Sequence, residues 1–228
     1  MHWSKPALAA LLVGAGLQAS AQAPPAPAGP SARFVVVLDA AHGGDDTGAQ
    51  LANGKQEKAL TLALSVRLRS LLGARGIPVV TTRESDAAID ADRRAEIANH
   101  ANAQACLSLH VTESGAGIHL FTSSLPPVPP AHWAAWKTAQ AAWVVRSNAL
   151  AGEVNSALLN AGFPVTLGRT TLPAMDSMTC PAVAIEIAPE RDANHGVTAE
   201  LDDPDYQARI AAALAAALIA WRSEAHQP

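Results

Sequence analysis

One stretch constrains the fold of this chain more than any other. An apolar run from Phe34 to Leu38 ends on Asp39, and Ala40, Ala41, His42, Gly43 and Gly44 follow directly. Apolar residues bounded by charge and glycine read as a buried strand. In an open α/β sheet, ligands and chemistry collect outside the carboxyl ends of the strands. His42 therefore falls where a site would be built, and Gly43, Gly44 and Gly48 let the backbone turn tightly around it.

The segments that follow repeat this grammar. A helix is expected over 56–74, with Leu60, Leu64, Leu68, Leu71 and Leu72 on one stripe and Glu57 in its first turn. A second strand over 76–82 and a second helix over 90–102 come next, then a third strand, 105–111, ending near His110. This strand–helix alternation predicts an α/β fold with a single domain, a mostly parallel twisted sheet and helices on both faces. A short strand is expected over 117–122, with His119 inside it. Beyond the prolines at 126, 127, 129 and 130, a long helical region over 131–160 holds Trp133, Trp136 and Trp143 and divides near Ser147 and Asn148. Residues 163–174 read as turn-rich. The last strand, 181–187, carries Glu186 inside an apolar run, and a helix over 204–222 closes one face through Tyr206, Ile210, Leu214, Leu218 and Trp221.

Composition narrows the setting. The 228 residues are 49% hydrophobic but only 4% aromatic, which suits one alanine- and valine-rich core. The net charge is −4, and no basic patch supports nucleic-acid binding. Lys5, the apolar run from Ala7 to Leu17 and the small-x-small sites at Ala19–Ala21 predict a secretory signal peptide over 1–21. The apolar run is too short to span a bilayer, so the mature chain is expected to carry no transmembrane segment. A proline- and alanine-rich linker over 22–33 follows. Cleavage would remove Lys5 and leave about −5. Cys106 and Cys180 are the only cysteines; buried free thiols are the simpler reading, with a disulfide as the alternative in an exported chain.

Four groups collect near one edge of the expected sheet: His42, Glu57, His110 and Glu186. Two imidazoles and a carboxylate suit a catalytic zinc with an open position. A metal held there lowers the pKa of a water and polarises a carbonyl, and Glu186 is the candidate general base. The plainer alternative for Glu186 is an ion pair with Arg83 or Arg169. His100, His119, His132 and His195 read as surface or packing residues.

These residues carry a family resemblance. The stretch 37–49 resembles the first zinc-ligand motif of the zinc-dependent N-acetylmuramoyl-L-alanine amidases, cell-wall enzymes of the AmiA/AmiB/AmiC type (the amidase_3 family). Glu57 and Lys58 before an apolar helix resemble the second ligand position. Thr82, Arg83 and Asp86, the segment 92–99, and Ser108 to His110 follow that family's order, and 182–187 resembles the segment bearing its catalytic glutamate. The likeness covers about 34–221. It implies a zinc amidase catalytic domain over 34–223, with His42, Glu57 and His110 as Zn2+ ligands and Glu186 as catalytic base. It further implies hydrolysis of the amide between N-acetylmuramic acid and L-alanine in peptidoglycan, in the periplasm or cell wall. An activating protein partner is a further implication, with 124–146 as the candidate lid.

The chain departs from the family around the ligands. Ala40 and Ala41 replace a Pro-Gly pair, Val111 and Thr112 replace alanine and asparagine, and 187–190 replaces a Gly-Phe-containing segment. Ala41 would disturb the loop if its backbone needed positive φ. Two other readings follow: a cell-wall glycopeptide-binding pseudo-amidase, and a zinc peptidase acting on another peptide.

Overall fold

The strand that begins at Val36 is buried along its whole length, so both its faces need cover, and the helices supply it. The computed structural model describes residues 1–2, 33–51, 54–129 and 135–225, and the fold is that of the unit from Arg33 onward. Apart from residues 1, 2 and 33, the expected leader (1–21) and linker (22–33) lie outside the described residues.

In chain order the elements are β1 Val36–Ala40, α1 Glu57–Gly73, β2 Val79–Thr81, α2 Ala91–His100, β3 Ala105–Val111 and β4 Ile118–Ser123. A 3-10 helix, Trp136–Ala142, leads into α3 Val144–Asn160; β5 Val165–Thr170, α4 Pro173–Asp176 and β6 Ala182–Ile187 follow. The small ribbon of β7 Glu190–Arg191 and β8 Val197–Ala199 precedes α5 Pro204–Ala225. The main sheet has the order β2-β1-β3-β6-β4-β5. Its first four strands run parallel, whereas β4 lies antiparallel to β6 and β5 parallel to β4. The mostly parallel α/β architecture expected from the alternation is thus present. Among the described residues, no helix is long and apolar enough to cross a membrane.

The pleat sorts the core into two layers. Leu38, Leu107, Leu109, Val183 and Ile185 face α1, α3 and α5, and with Leu64, Leu68, Leu150, Val154, Tyr206 and Leu214 they form the larger cluster. Val37, Cys106, Ala182 and Ala184 face the other way, toward Ala95, Ala98, Met175 and Met178. That second layer is thinner and ends at the edge carrying His42 and His110, which leaves room for a cleft.

Several expectations need correction. The turn-rich reading of 163–174 missed β5, a mostly exposed edge strand whose Val165-Thr166-Leu167 alternation stops at Gly168 and Arg169, too short to signal a strand. Leu71 lies 38% exposed rather than on the buried stripe. The long helical region divides at Trp143, not at Ser147 and Asn148. Thr138 leaves helical φ/ψ, and buried Ser147 is instead a tie, donating to Gln140 Oε1 and accepting from Ala182 N. Trp133 lies outside the described residues, and Trp136 is 41% exposed, so Trp136 does not share a core face with Trp143.

Cys106 and Cys180 form a disulfide, contrary to the free-thiol reading. It joins β3 to the segment after α4 across 74 residues of sequence, with Cα atoms 6.3 Å apart. A crosslink over so long a loop restricts the unfolded chain and stabilises the fold by about 2–4 kcal/mol. The Cys106→Ala/Cys180→Ala variant should lose that much unfolding free energy and so unfold at a lower denaturant midpoint. An unchanged midpoint would show that the bond adds nothing.

Candidate metal centre

The turn after β1 is the first part of the site. His42 itself takes a left-handed backbone, φ 62°, followed by Gly43 at 137° and Gly44 at 61°. Ala41 has no positive φ, so the alanine there is tolerated without strain. Two buried arginines hold the turn by its carbonyls. Arg83 donates to Ala40 O and Ala41 O, and Arg94 donates to Ala40 O and His42 O. Arg94 also pairs with buried Asp39 at 2.6 Å, and Asp39 accepts from Thr82 and Ser108. Removing one partner of such a buried pair costs about 3–5 kcal/mol, so the turn is anchored to the sheet beneath it.

Glu57 opens α1 and reaches both histidines. Its Oε2 lies 3.1 Å from His42 Nε2, and its Oε1 lies 3.0 Å from His110 Nδ1. The same carboxylate accepts from the backbone N–H groups of Ala49 and Val111. Burial pushes the Glu57 carboxyl up, but the hydrogen bonds from His110, His42 and Ala49 override it and hold the group well below the usual carboxylate range. His42 is raised, first by its hydrogen bond to Glu57 against the opposing effect of burial, and further by Asp46. Gly48 makes the approach possible: a Cβ there would stand 2.6 Å from both Glu57 Oε2 and His42 Cδ2.

One ligand atom each from His42, Glu57 and His110 lies within 4.8 Å of the other two. The donor chemistry fits a zinc-type divalent metal. Asp46 Oδ2 lies 2.8 Å from His42 Nδ1, which fixes the ring so that Nε2 turns toward Glu57. On the other side Ser108 Oγ stands 3.4 Å from His110 Nε2. A cleft of about 460 Å³ opens here, floored by Asp39, Ser108 and Ala184 and walled by Ile89 and by Leu172 to Met175.

Glu186 joins by register. It is the Cα partner of His110 on the neighbouring parallel strand, so both side chains leave the same face of the sheet. Neither Arg83 nor Arg169 pairs with it: Arg83 binds the turn, and Arg169 donates to Ser123 O and Leu125 O. The four residues singled out in the sequence are therefore brought to one edge. No described residue of 124–146 lines the cleft, and buried Gln140 of that segment is tied to the carbonyls of Met178 and Cys180.

Asp39, Asp46, Ser108 and Arg94 carry no individual role legible from the residues alone. All lie in the motif stretches, but nothing in a sequence states which carbonyl an arginine will bind. The departures beside the ligands are absorbed by packing. Val111 contributes its N–H rather than its side chain to Glu57, Ile187 is buried, and Ala188 O accepts from Tyr206.

Comparisons with known proteins bear on the family and the fold. The family model described as "N-acetylmuramoyl-L-alanine amidase" (Amidase_3) matches residues 36–220. The chain is similar to N-acetylmuramoyl-L-alanine amidase AmiA of Escherichia coli, 40% identical over 94 residues. That match covers 40% of this chain, which spans only about a third (32%) of the relative's own length. The catalytic domain of CwlV, an N-acetylmuramoyl-L-alanine amidase from Bacillus (Paenibacillus) polymyxa, superposes with a TM-score of 0.66 at 22% identity, covering 83% of this chain and 98% of that one. The amidase AmiC2 of Nostoc punctiforme gives 0.66 at 23%, covering 85% and 99%. At such identities the solved structures establish the fold.

Proposed function

The chain belongs to the N-acetylmuramoyl-L-alanine amidase family, and on that premise we propose that it hydrolyses the amide between N-acetylmuramic acid and L-alanine in peptidoglycan. The observation that carries this reading is the convergence of His42, Glu57 and His110, with Glu186 in register beside His110. We assign the three converging residues as zinc ligands and Glu186 as the general base.

Zinc, when bound there, supplies Lewis-acid polarisation of the amide carbonyl and lowers the pKa of a water. The chain supplies the rest. Asp46 orients His42, and the Glu57 carboxylate brings a negative charge to the cation. The Glu186 carboxylate takes one proton from the attacking water as the carbon–oxygen bond forms. It returns that proton to the nitrogen as the carbon–nitrogen bond breaks, giving the lactyl acid and a free amine. The cleft beside the ligands, mostly apolar along Ile89 and 172–175, receives the chain flanking the amide.

A non-catalytic glycopeptide binder would have no use for Glu186, which is half-buried and whose carboxylate has no hydrogen-bond or ion-pair partner among the described residues. The Cys106–Cys180 disulfide supports an exported chain acting in the periplasm or cell wall. Removing metal with a chelator should stop release of stem peptide from purified peptidoglycan, and about one zinc per chain should restore it. Release that persists in metal-free protein would overturn the metal's role. Products cut within the peptide, read by mass spectrometry, would make the chain a peptidase instead.

A further inference from the structure

Beyond Glu186, on the side away from the ligands, stands a histidine that the reading above leaves unused. His119 of β4 is the antiparallel Cα partner of Glu186, just as His110 is its parallel partner. One transverse row therefore runs His110, Glu186, His119, Thr166 across four adjacent strands. Partners in register share a face of the sheet, with directly opposed antiparallel Cβ atoms about 5 Å apart.

Burial marks the row as a feature of the site. In β3 and β6 every residue is buried except His110 and Glu186, and β4 opens at His119 and Phe121. The imidazole is bonded at one edge and has glycine beside the other. Its Nδ1 lies 2.6 Å from Thr166 Oγ1, and its other edge faces the backbone of Gly115, where a Cβ would stand 3.3 Å from Nε2. Glu186 stands beside it in register, and beyond Gly115 the Nε of Arg191 donates to Gly115 O. The sequence reading of His119 as a surface or packing residue left this placement beside Glu186 without a use.

Resting on the amidase reading, we infer that His119 is a positioning residue for Glu186. Its ring, fixed on Thr166 and with neither nitrogen on Glu186, fills the metal-distal side of the carboxylate and leaves it the side of His110, where the attacking water must lose its proton. The ring does not touch the reacting atoms, and it takes no part in holding metal.

The test compares wild type, Glu186→Gln, His119→Ala, His119→Asn and Thr166→Val for stem-peptide release, zinc content and melting temperature. His119→Ala should lower kcat about tenfold or more with KM within about twofold, while zinc content stays at the wild-type level. His119→Asn keeps a short amide beside Glu186 and should recover part of the loss. Thr166→Val, on the exposed edge strand, should shift kcat in the same direction by less and keeps the test open if His119→Ala folds poorly. Wild-type kcat in His119→Ala, or a loss confined to KM, overturns the inference while leaving Glu186 as the base. Inactive wild type with zinc bound removes the amidase reading, and this inference falls with it.

Discussion

Glu186→Gln is expected to lower stem-peptide release by at least about a hundredfold while the protein keeps its metal. The amide is nearly isosteric with the carboxylate but cannot accept the proton of the attacking water. The half-buried position has no ion-pair partner among the described residues, so the change breaks no network. Melting temperature and zinc content should therefore match wild type. That combination separates a base from a structural acid. A fall in stability with the loss of release would assign Glu186 to the scaffold, and release at the wild-type rate would place the base elsewhere.

Glu57→Gln should act in the opposite way, on the metal first. Glu57 is 5% exposed and bridges both histidines through its two oxygens. Its carboxyl is held far down by His110, His42 and Ala49 against the effect of burial, so it is anionic at any working pH. Neutralising it removes the one negative ligand and leaves an amide N–H facing donors such as Ala49 N–H or Val111 N–H. Replacing even an outer-shell partner costs about 10–100-fold in metal affinity, so the ligand itself should cost about a hundredfold or more. Competition with a chromophoric chelator reads this directly. The metal-free variant should also lose about 1–3 kcal/mol, because a buried N–H donor is left without a good partner. Unchanged zinc affinity would remove Glu57 from the ligand set.

Much of this arrangement was legible in the residues. The run from Phe34 to Leu38, the leucine stripe of α1 and the apolar 105–109 and 182–185 each report burial by local pattern. The rule that chemistry gathers at carboxyl ends of strands then singled out His42 and His110. Glu57 was ambiguous, since a carboxylate in a first helical turn is favoured by the helix dipole whatever its function. β5 was invisible because an edge strand with Gly168 and Arg169 in it has little to bury. The place of His119 is hidden in the sequence for a related reason. Its partners, Glu186 and Thr166, lie 67 and 47 residues away in the chain, and no local period links them.

By itself, then, the sequence determined the alternation of strand and helix, the residue types of the site and their order, because these follow from periodicity, turn chemistry and side-chain chemistry acting over a few residues. The tertiary structure alone decided the rest. It reversed β4 and β5, joined Cys106 to Cys180, anchored the His42 turn on Arg83 and Arg94, and set His110, Glu186 and His119 in one row. Those outcomes depend on register and on buried polar groups finding partners across long loops. Such pairings are fixed by the energy of the whole assembled core, which no short stretch of chain contains.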